Sequence, residues 1–576
     1  MNMNNIPDYI LELTKEPKIA YFSMEIGVQN DIPTYSGGLG VLAGDTIKSG
    51  ADMKLPMIAV TLIPRKGYFR QELDEHGRQT EHPVKWDPSR YMKLLPTKVK
   101  VQIEGREVLV QAWIFNVKSL TGGCVPIFFL DTDVEGNTPE DREITAVLYG
   151  GDLAYRLKQE IVLGIGGVRM LHELGFEIKK YHMNEGHSSF LTLELLNMYK
   201  RPIEDVWDEK LVWDTARVKN LCVFTTHTPV DAGHDRFPYD LVLKIMGEMI
   251  PLNVLKELCG SSNLNMTLLG LNLSEFINGV AKKHSEVSRN MFPGYEISAI
   301  TNGVHTYTWT CDSFKQLFDK YLPGWANEPE LFVRVGRIPD EEIWEAHMKA
   351  KKVLLDYVRD ETRIDMDPEL LTIGFARRAT AYKRADLIFS DIERLVKIGN
   401  GKLQIIYSGK AHPRDDTGKK LIEKIFSIRE KLKGRIKLVY LQNYSMDIAL
   451  RIVSGVDIWL NTPLRPREAS GTSGMKAAHN GVMNFSVLDG WWIEGHIEGF
   501  TGWSIGPTPS ETTLVENMDT ADADDLYAKL GGTIIPLYYE NKKIWVRMMQ
   551  NAIGKNAYYF NTHRMMRRYV TDAYIR

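Results

Sequence analysis

Apolar and polar residues follow a regular strand-and-helix rhythm in the second half of this chain. Short apolar runs of strand length alternate there with stretches of helical period. Apolar strands that alternate with helices specify a parallel, doubly wound sheet. The predicted strands are 371–375, 403–407, 436–441, 456–460 and 482–487. The helical patterns are 384–397, 417–432, 446–454 and 475–479.

The first half is also α/β, with one exception near residue 100. Apolar runs at 19–24, 57–63, 125–130 and 221–226 predict buried strands. The segment 98–117 alternates strictly around a Glu104-Gly105 turn, which predicts a β-hairpin with one buried face. We interpret this hairpin as an addition to the first domain. The region 139–174 is helical and broken around 164–167. Its GIGG lies inside the helical pattern, so it is no dinucleotide motif.

The chain length of 576 residues predicts two or more domains. Between Trp309 and Glu361 the pattern becomes helical and charged, so we place a boundary near 320. This divides the chain into 1–320 and 321–576. From about Lys542 the sequence is helical and aromatic, and such a segment could cross back to the first domain.

Composition excludes several classes of protein. The net charge of −3 argues against a nucleic-acid-binding surface. No apolar run approaches the ~20 residues that a membrane span needs, and no signal peptide is visible. The four cysteines form no CxxC pair, so neither a disulfide framework nor a zinc site is expected. These features predict a cytoplasmic protein without a metal. The cysteines are Cys124, Cys222, Cys259 and Cys311.

The segment 468–476, EASGTSGMK, has the chemistry of a phosphate-binding loop that ends in a lysine. It follows a predicted strand and precedes a helical pattern. Gly471 and Gly474 let the backbone approach a ligand, and unpaired N–H groups at a helix start favour a phosphate. Lys476 beside such a loop suits a Schiff base to pyridoxal phosphate (PLP). The simpler alternative is a polar turn with an exposed lysine.

A second candidate is the cationic segment that follows strand 371–375. Four cations within eight residues are unfavourable at a strand end unless an anion lies among them. Arginine binds phosphate through a planar fork, and lysine supplies a point charge. The alternative is a solvated basic helix face. The cations are Arg377, Arg378, Lys383 and Arg384.

Polar residues also gather at predicted strand ends in the first half. Asn184, Glu185 and His187 lie where a strand should meet a helix, and His227 follows strand 221–226. Ligands bind at such positions in open α/β sheets. The alternative is that Glu185 and His187 only cap a helix.

Several separated segments together resemble the α-glucan phosphorylases, in particular their short bacterial and archaeal branch. The resemblance runs from about Tyr21 to Gly490 and implies a GT-B fold. In that fold two Rossmann-like doubly wound domains enclose the active site in the cleft between them, and the second domain binds PLP. The segments are GGLG at 37–40, NEGH at 184–187, THTP at 226–229, NGVA with HS at 278–285, TNG at 301–303, YKR at 382–384, NY at 443–444 and EASGTSGMK.

The resemblance also implies roles for individual residues. PLP is expected on Lys476, and Arg378 and Lys383 are expected to hold the substrate phosphate; these three are the expected catalytic residues. The expected cofactor-binding residues are Lys476, Gly471, Thr472, Ser473, Arg377 and Tyr444. The expected substrate-binding residues are Gly38, Leu39, His284, Tyr382, Glu468 and Ser470.

The implied reaction is reversible phosphorolysis of terminal α-1,4-linked glucosyl units by inorganic phosphate. It gives α-D-glucose 1-phosphate with retention, and the PLP phosphate acts as proton donor and acceptor. The implied protein is a glycosyltransferase of glycogen, starch or maltodextrin. It is a homodimer or higher oligomer, and it lacks the amino-terminal control segment of the long family members.

Two residues depart from the long forms, and two rival functions stay open. Arg377 replaces a lysine near the cofactor phosphate, and Ser445 replaces an arginine after Tyr444. A nucleotide-sugar-dependent glucan synthase of the same fold would need no Schiff-base lysine. A non-catalytic glucan-binding protein would not need the cations. A two-carboxylate hydrolase and a nicotinamide dehydrogenase are disfavoured, because no Asp/Glu pair is required and no GxGxxG follows the first strand of the second half.

Overall fold

The computed structural model describes residues 6–508 and 517–575, with the backbone alone at Ala232. The strands are β1 Lys18–Ser23, β2 Met57–Leu62, β3 Arg70–Leu73, β4 Gln79–His82, β5 Lys93–Ile103, β6 Arg106–Lys118, β7 Cys124–Asp131, β8 Ile178–Asn184, β9 Cys222–Thr225, β10 Arg236–Pro238, β11 Asn263–Asn265, β12 Phe276–Gly279, β13 Ser298–Ala299, β14 Leu371–Ala376, β15 Leu403–Ser408, β16 Lys437–Leu441, β17 Ile458–Asn461, β18 Met483–Val487 and β19 Gly502–Ile505.

The α-helices lie mainly between these strands. They are α1 Asp8–Leu13, α2 Gly38–Asp52, α3 Pro139–Arg142, α4 Leu153–Ile161, α5 Gly167–Glu173, α6 Phe190–Met198, α7 Thr215–Leu221, α8 Tyr239–Met246, α9 Leu252–Cys259, α10 Met266–Asn272, α11 Lys282–Met291, α12 Thr306–Trp309, α13 Asp312–Tyr321, α14 Asp340–Thr362, α15 Ile392–Gly399, α16 Asp416–Leu432, α17 Met446–Gly455, α18 Thr472–Ala478, α19 Trp492–Gly495, α20 Met518–Lys529, α21 Ile535–Glu540, α22 Lys542–Asn551 and α23 Thr562–Tyr569.

Two large sheets organise the chain, which confirms a mixed α/β fold with parallel strands. The first sheet has nine strands in the order β13-β12-β9-β8-β1-β2-β7-β6-β5. The second has six parallel strands in the order β16-β15-β14-β17-β18-β19. Central strands such as β1 and β14 are buried along their whole length, because helices cover both faces.

The predicted hairpin is present, but it belongs to the first sheet. β5 and β6 pair around the Glu104-Gly105 turn, and β6 also pairs antiparallel with β7. The hairpin therefore extends one edge of the sheet. β5 alternates exposed and buried residues because one of its faces lies on the core.

Three helix predictions differ from the structure. The helical pattern around 164–167 is not broken but passes through a π-helical turn, Val162–Gly166, into α5. The pattern at 384–397 gives α15 only from Ile392, because Asp391 accepts a hydrogen bond from Arg394 N and starts the helix there. α18 begins at Thr472, ahead of the predicted 475. Strand β19 was not predicted.

Two segments link the two sheets: the β3–β4 hairpin and the carboxy-terminal helices. The β3–β4 hairpin lies against the second sheet, where Gln71 Nε2 donates to Gly409 O at 2.9 Å. The carboxy-terminal helices lie against the first sheet, where Tyr574 Oη and His182 Nδ1 are 2.7 Å apart. Asn278 Nδ2 also donates to Tyr569 Oη at 3.0 Å.

Among residues 6–508 and 517–575, no helix is long and apolar enough to cross a bilayer.

Candidate functional site

The EASGTSGMK segment connects β17 to α18, as its pattern predicts. Gly471 stands before the first helical residue with φ = +83°, a conformation that favours glycine. Gly474 is packed so tightly that an added Cβ would lie 2.2 Å from Asn484 Oδ1. The loop is therefore shaped by its glycines and held closely against β18.

Lys476 lies on the buried side of α18, and 6% of it is exposed. Its Nζ is 3.7 Å from the centroid of the Trp309 ring. Its Nζ makes neither a hydrogen bond nor an ion pair to any residue that the structure describes. Burial lowers the pKa of Lys476 to about 8, with Asp45 opposing this change and Lys48 adding to it. Because Lys476 is buried, the alternative of a polar turn with an exposed lysine is wrong.

Three polar atoms beside this loop are buried and unsatisfied. Ser470 Oγ, Ser473 Oγ and Arg377 Nε have no hydrogen-bond partner in the described part of the chain. Buried donors without partners are unfavourable in proteins. The three atoms are therefore available to a ligand that carries acceptor oxygens.

Two of the predicted cations converge on Glu468. Lys383 Nζ donates to its two carboxylate oxygens at 2.7 and 2.8 Å, and Arg377 Nη1 donates to Oε2 at 3.0 Å. Burial alone would raise the pKa of Glu468, but the charges of Lys383 and Arg377 outweigh it and lower the pKa to about 2. Glu468 is thus an ionised internal partner for both cations.

The other two predicted cations have different surroundings. Arg378 is exposed, and its Nη2 lies 3.5 Å from Ser36 Oγ, in the glycine-rich loop before α2. Arg384 is buried, and its guanidinium binds the carbonyls of Thr462 and Pro463 and the carboxylates of two aspartates, Asp519 and Asp522. Arg378 is therefore open to an added anion, whereas Arg384 anchors α20.

The glycine-rich loop is held in place from within the first sheet. Glu25 Oε2 accepts hydrogen bonds from the backbone N–H groups of Ser36 and Gly37 at 2.5 and 3.2 Å. Gly38, the first residue of α2, is exposed, and Leu39 is half-buried. The loop thereby brings α2 next to Arg378 on the second sheet.

The comparisons with known proteins give one result. The sequence model of the family described as Carbohydrate phosphorylase matches residues 249–498. The maltodextrin phosphorylase of Thermococcus litoralis is 41% identical over 601 residues, which cover 97% of this chain and 70% of the relative.

The chain belongs to the carbohydrate phosphorylase family.

Two further relatives agree with this assignment. The glycogen phosphorylase of Aquifex aeolicus is 36% identical over 617 residues, covering 98% of this chain and 87% of the relative. The glycogen phosphorylase of Mycobacterium tuberculosis is 36% identical over 625 residues, covering 96% and 70% respectively. The resemblance read from the sequence is therefore confirmed, and the chain is a member of a glycosyltransferase family.

Three residues that the phosphorylase resemblance selected lie around the Lys476 loop. Tyr444 is half-buried and packs against the cluster that contains Met475 and Trp491. Tyr382 is half-buried, and Lys383 Nζ lies 4.5 Å from its ring centroid. Ser445 starts α17, where its Oγ accepts a hydrogen bond from Ile448 N at 3.4 Å. The serine therefore adds no positive charge where the long phosphorylases have arginine.

The first sheet contributes a group of polar side chains around the buried carboxylate of Glu185. His227 Nε2 lies 2.6 Å from Asn184 Oδ1. Glu185 has φ = +74°, which is rare for a residue with a side chain, and its carboxylate accepts hydrogen bonds from His227 N and Thr228 Oγ1 at 2.8 Å each. Burial lowers the pKa of His227 to about 4, so its ring is neutral at pH 7.

His284, expected from the family resemblance to bind sugar, is occupied within its own helix start. It is buried, and its Nδ1 accepts a hydrogen bond from Val280 N at 3.2 Å. Two other atoms at strand ends are buried without a partner among the described residues: Thr226 Oγ1 and Asn302 Oδ1. Both belong to recognised segments, THTP and TNG. Thr226 directly follows the buried strand β9, and Asn302 lies three residues after β13.

Proposed function

We propose that this chain is an α-1,4-glucan phosphorylase. It transfers terminal α-1,4-linked glucosyl units to inorganic phosphate and forms α-D-glucose 1-phosphate with retention. The observation that carries the proposal is Lys476, which is buried, without an ion-pair partner, and of lowered pKa, beside a loop with unsatisfied donors. The names of the three relatives support the glucan substrates glycogen and maltodextrin.

The residues around Lys476 fit PLP. Its aldehyde would bond to Lys476 Nζ, which the lowered pKa favours as a nucleophile. Ser470, Ser473 and Arg377 offer buried donors for its phosphate, together with Gly471 and Thr472 of the loop. Tyr444 would lie beside the ring. When bound, the cofactor supplies a phosphate that can exchange a proton with the substrate phosphate.

The remaining steps belong to side chains of this protein. Arg378 is free to bind the substrate phosphate, and Lys383 can turn from Glu468 toward it. These two cations offset the repulsion between neighbouring phosphates. The substrate phosphate gives a proton to the glycosidic oxygen, the bond between that oxygen and the glucosyl carbon breaks, and a phosphate oxygen bonds to the same carbon. Glu468 accepts hydrogen bonds from sugar hydroxyls as Lys383 turns.

The sugar side is assigned to the first sheet. Gly38 and Leu39 would border the glucosyl unit, joined by Tyr382 from the second sheet, and Asn302 and His227 would bind its hydroxyls. The arrangement supports a GT-B enzyme of two Rossmann-like domains, 1–320 and 321–576, with the active site in the cleft between them. We carry over a homodimer or higher oligomer as part of the same proposal.

The test is glucose 1-phosphate formation from a maltodextrin by the full chain loaded with PLP, with and without inorganic phosphate. We expect product only with phosphate. Lys476→Ala should abolish both PLP attachment and product, while Lys433→Ala, at an exposed position, should retain them. Product from a nucleotide sugar instead of phosphate would favour the synthase. Full phosphorolysis by Lys476→Ala without PLP would contradict the proposal.

A further inference from the structure

Trp309 connects Lys476, which lies over its ring face, to a buried carboxylate at its N–H edge. The ring face lies against Lys476 Nζ, and the indole Nε1–H donates to Asp45 Oδ2 at 2.7 Å. Asp45 is 1% exposed, and its Oδ1 has no hydrogen-bond partner in the described part of the chain. Asp45 belongs to α2 of the first sheet, while Lys476 belongs to α18 of the second. The unit therefore spans both halves of the molecule.

A buried carboxylate with only one oxygen satisfied is unfavourable unless it serves another group. The phosphate and sugar contacts proposed above make no use of Asp45. The one cation on its own helix turn is Lys48, whose Nζ lies 3.2 Å from Thr308 Oγ1. Asp45 and Lys48 thus present opposite charges to the region where Lys476 ends.

We propose that Asp45 is a positioning residue for Lys476. Through the indole N–H it fixes the Trp309 ring against the ε-amino group, and its charge holds the amine's proton until the cofactor arrives. This inference rests on the proposed function, because it concerns the attachment of the carbonyl cofactor. Lys48 acts in the opposite sense.

The protonation state of Lys476 decides when the cofactor can attach. The ammonium form of Lys476 must first release a proton to solvent, because only the free amine has the electron pair that adds to the aldehyde carbon. The carbonyl oxygen leaves as water, and a C=N bond replaces the C=O bond. A negative group near Nζ delays the loss of the proton, and a positive group promotes it.

Four ionisable groups lie around Lys476 on the elements packed there. Asp45 and Lys48 come from α2, His305 precedes α12, and His479 follows Lys476 on α18. Burial lowers the pKa of His305 and lowers that of His479 to about 4, so both rings are neutral near pH 8. Asp45 and Lys48 are therefore the charged groups that act on Lys476, while Asp52 of α2 is paired with His305 and His563.

The experiment measures PLP attachment to the full chain between pH 6 and pH 10. Borohydride reduction fixes the bond, and peptide mass spectrometry measures the labelled fraction at Lys476. We expect Asp45→Asn to lower the pH midpoint of attachment by about 1 unit, and Lys48→Met to raise it by about 0.5 unit. A loss of packing alone would not move the two midpoints in opposite directions.

Asp131→Asn is the matched control. Asp131 Oδ2 accepts a hydrogen bond from Trp113 Nε1 at 2.9 Å and also pairs with Arg65, so it provides an indole-to-carboxylate hydrogen bond away from Lys476. Its variant should keep the wild-type midpoint. Trp309→Phe keeps an aromatic face and removes the donor; we expect several-fold slower attachment at pH 8. Trp309→Phe also tests the inference if Asp45→Asn does not fold.

The outcomes separate the two levels of argument. Wild-type protein that gains no label on Lys476 at any pH would overturn both the proposed function and this inference. Labelled wild-type protein, with unchanged midpoints in Asp45→Asn and Lys48→Met, would overturn the inference alone. Unchanged attachment in Trp309→Phe would remove the indole from the mechanism.

Discussion

The carboxyl ends of the two sheets carry different kinds of polar group. At the second sheet, Arg377 and Lys383 surround an ionised Glu468, and exposed Arg378 stands nearby. At the first sheet, burial keeps the ring of His227 neutral, and the carboxylate of Glu185 is satisfied by a backbone N–H and a hydroxyl. One edge carries cations around a carboxylate, whereas the other carries the carboxylate of Glu185 beside a neutral imidazole.

Under the proposed function this difference explains how one site can bind both a phosphate and a sugar. A phosphate is bound by cations in a buried setting, where charge interactions are strong. A sugar is neutral and is bound by hydrogen bonds from amides, hydroxyls and neutral imidazoles. The cations of the second sheet would then bind the phosphate, and the polar side chains of the first sheet would bind the sugar. Variants at the two edges should then affect different substrates.

The largest expected effect is at the charged edge. Lys383→Met should lower kcat/KM for inorganic phosphate by about 10²- to 10³-fold, because a cation aimed at developing charge is lost. Initial rates of phosphorolysis at varied phosphate concentration measure this. Arg384→Gln is the control: it should reduce thermal stability, because Arg384 binds Asp519 and Asp522, and leave KM for phosphate unchanged. Equal phosphate affinity in wild type and Lys383→Met would contradict the comparison.

Glu468→Gln should produce a pH-dependent loss of stability. The folded pKa of about 2 lies below the ordinary value of 4.5, so ionised Glu468 stabilises the protein above pH 4.5 and this contribution is lost as the pH falls toward 2. The difference corresponds to about 3 kcal/mol at pH 7. Urea unfolding of wild type and variant measures it. A gap in unfolding free energy that stays constant from pH 7 to pH 3 would show that Glu468 is not held by charge.

Variants at the edge of the first sheet should change KM for the glucan and leave KM for phosphate unchanged. His227→Gln is expected to raise KM for maltodextrin about tenfold, a loss of about 1.4 kcal/mol typical of one hydrogen bond. KM for phosphate should stay at the wild-type value. Because His227 is already neutral, the ratio of variant to wild-type rates should not change between pH 6 and pH 8. A shift in KM for phosphate would break the division between the edges.

The smallest effect is expected at His284. Its Nδ1 is bonded to Val280 N inside the helix start, so His284→Gln should change KM for maltodextrin less than about twofold. The cost should be about 1 kcal/mol of stability, from the lost helix-start hydrogen bond. Parallel assays with His227→Gln measure the contrast. A tenfold rise in KM for His284→Gln would support the sugar-binding role that the family resemblance implies.

The sequence predicted the second sheet well because five of its strands are continuous apolar runs between helical patterns. β19 was missed because Gly502–Ile505 is short and lacks an apolar run. The sequence identified the cationic segment after β14, but it did not show which cations bind internal partners and which are open to a ligand. Arg384 differs from Arg378 through distant partners, which are the carbonyls of Thr462 and Pro463 and two aspartates on α20. The pairing of Glu468 with Lys383 also joins residues far apart in the chain.

The packing of the carboxy-terminal helices on the first sheet sets a limit on the order of folding during synthesis. Met565, Met566 and Tyr569 are part of the core that covers β1 and β2, yet they emerge from the ribosome after the whole second sheet. During synthesis, the apolar face of the first sheet therefore stays uncovered until these helices emerge. We expect nascent chains stalled before residue 562 to hold the first sheet in a looser, protease-sensitive state that tightens once the last helices arrive.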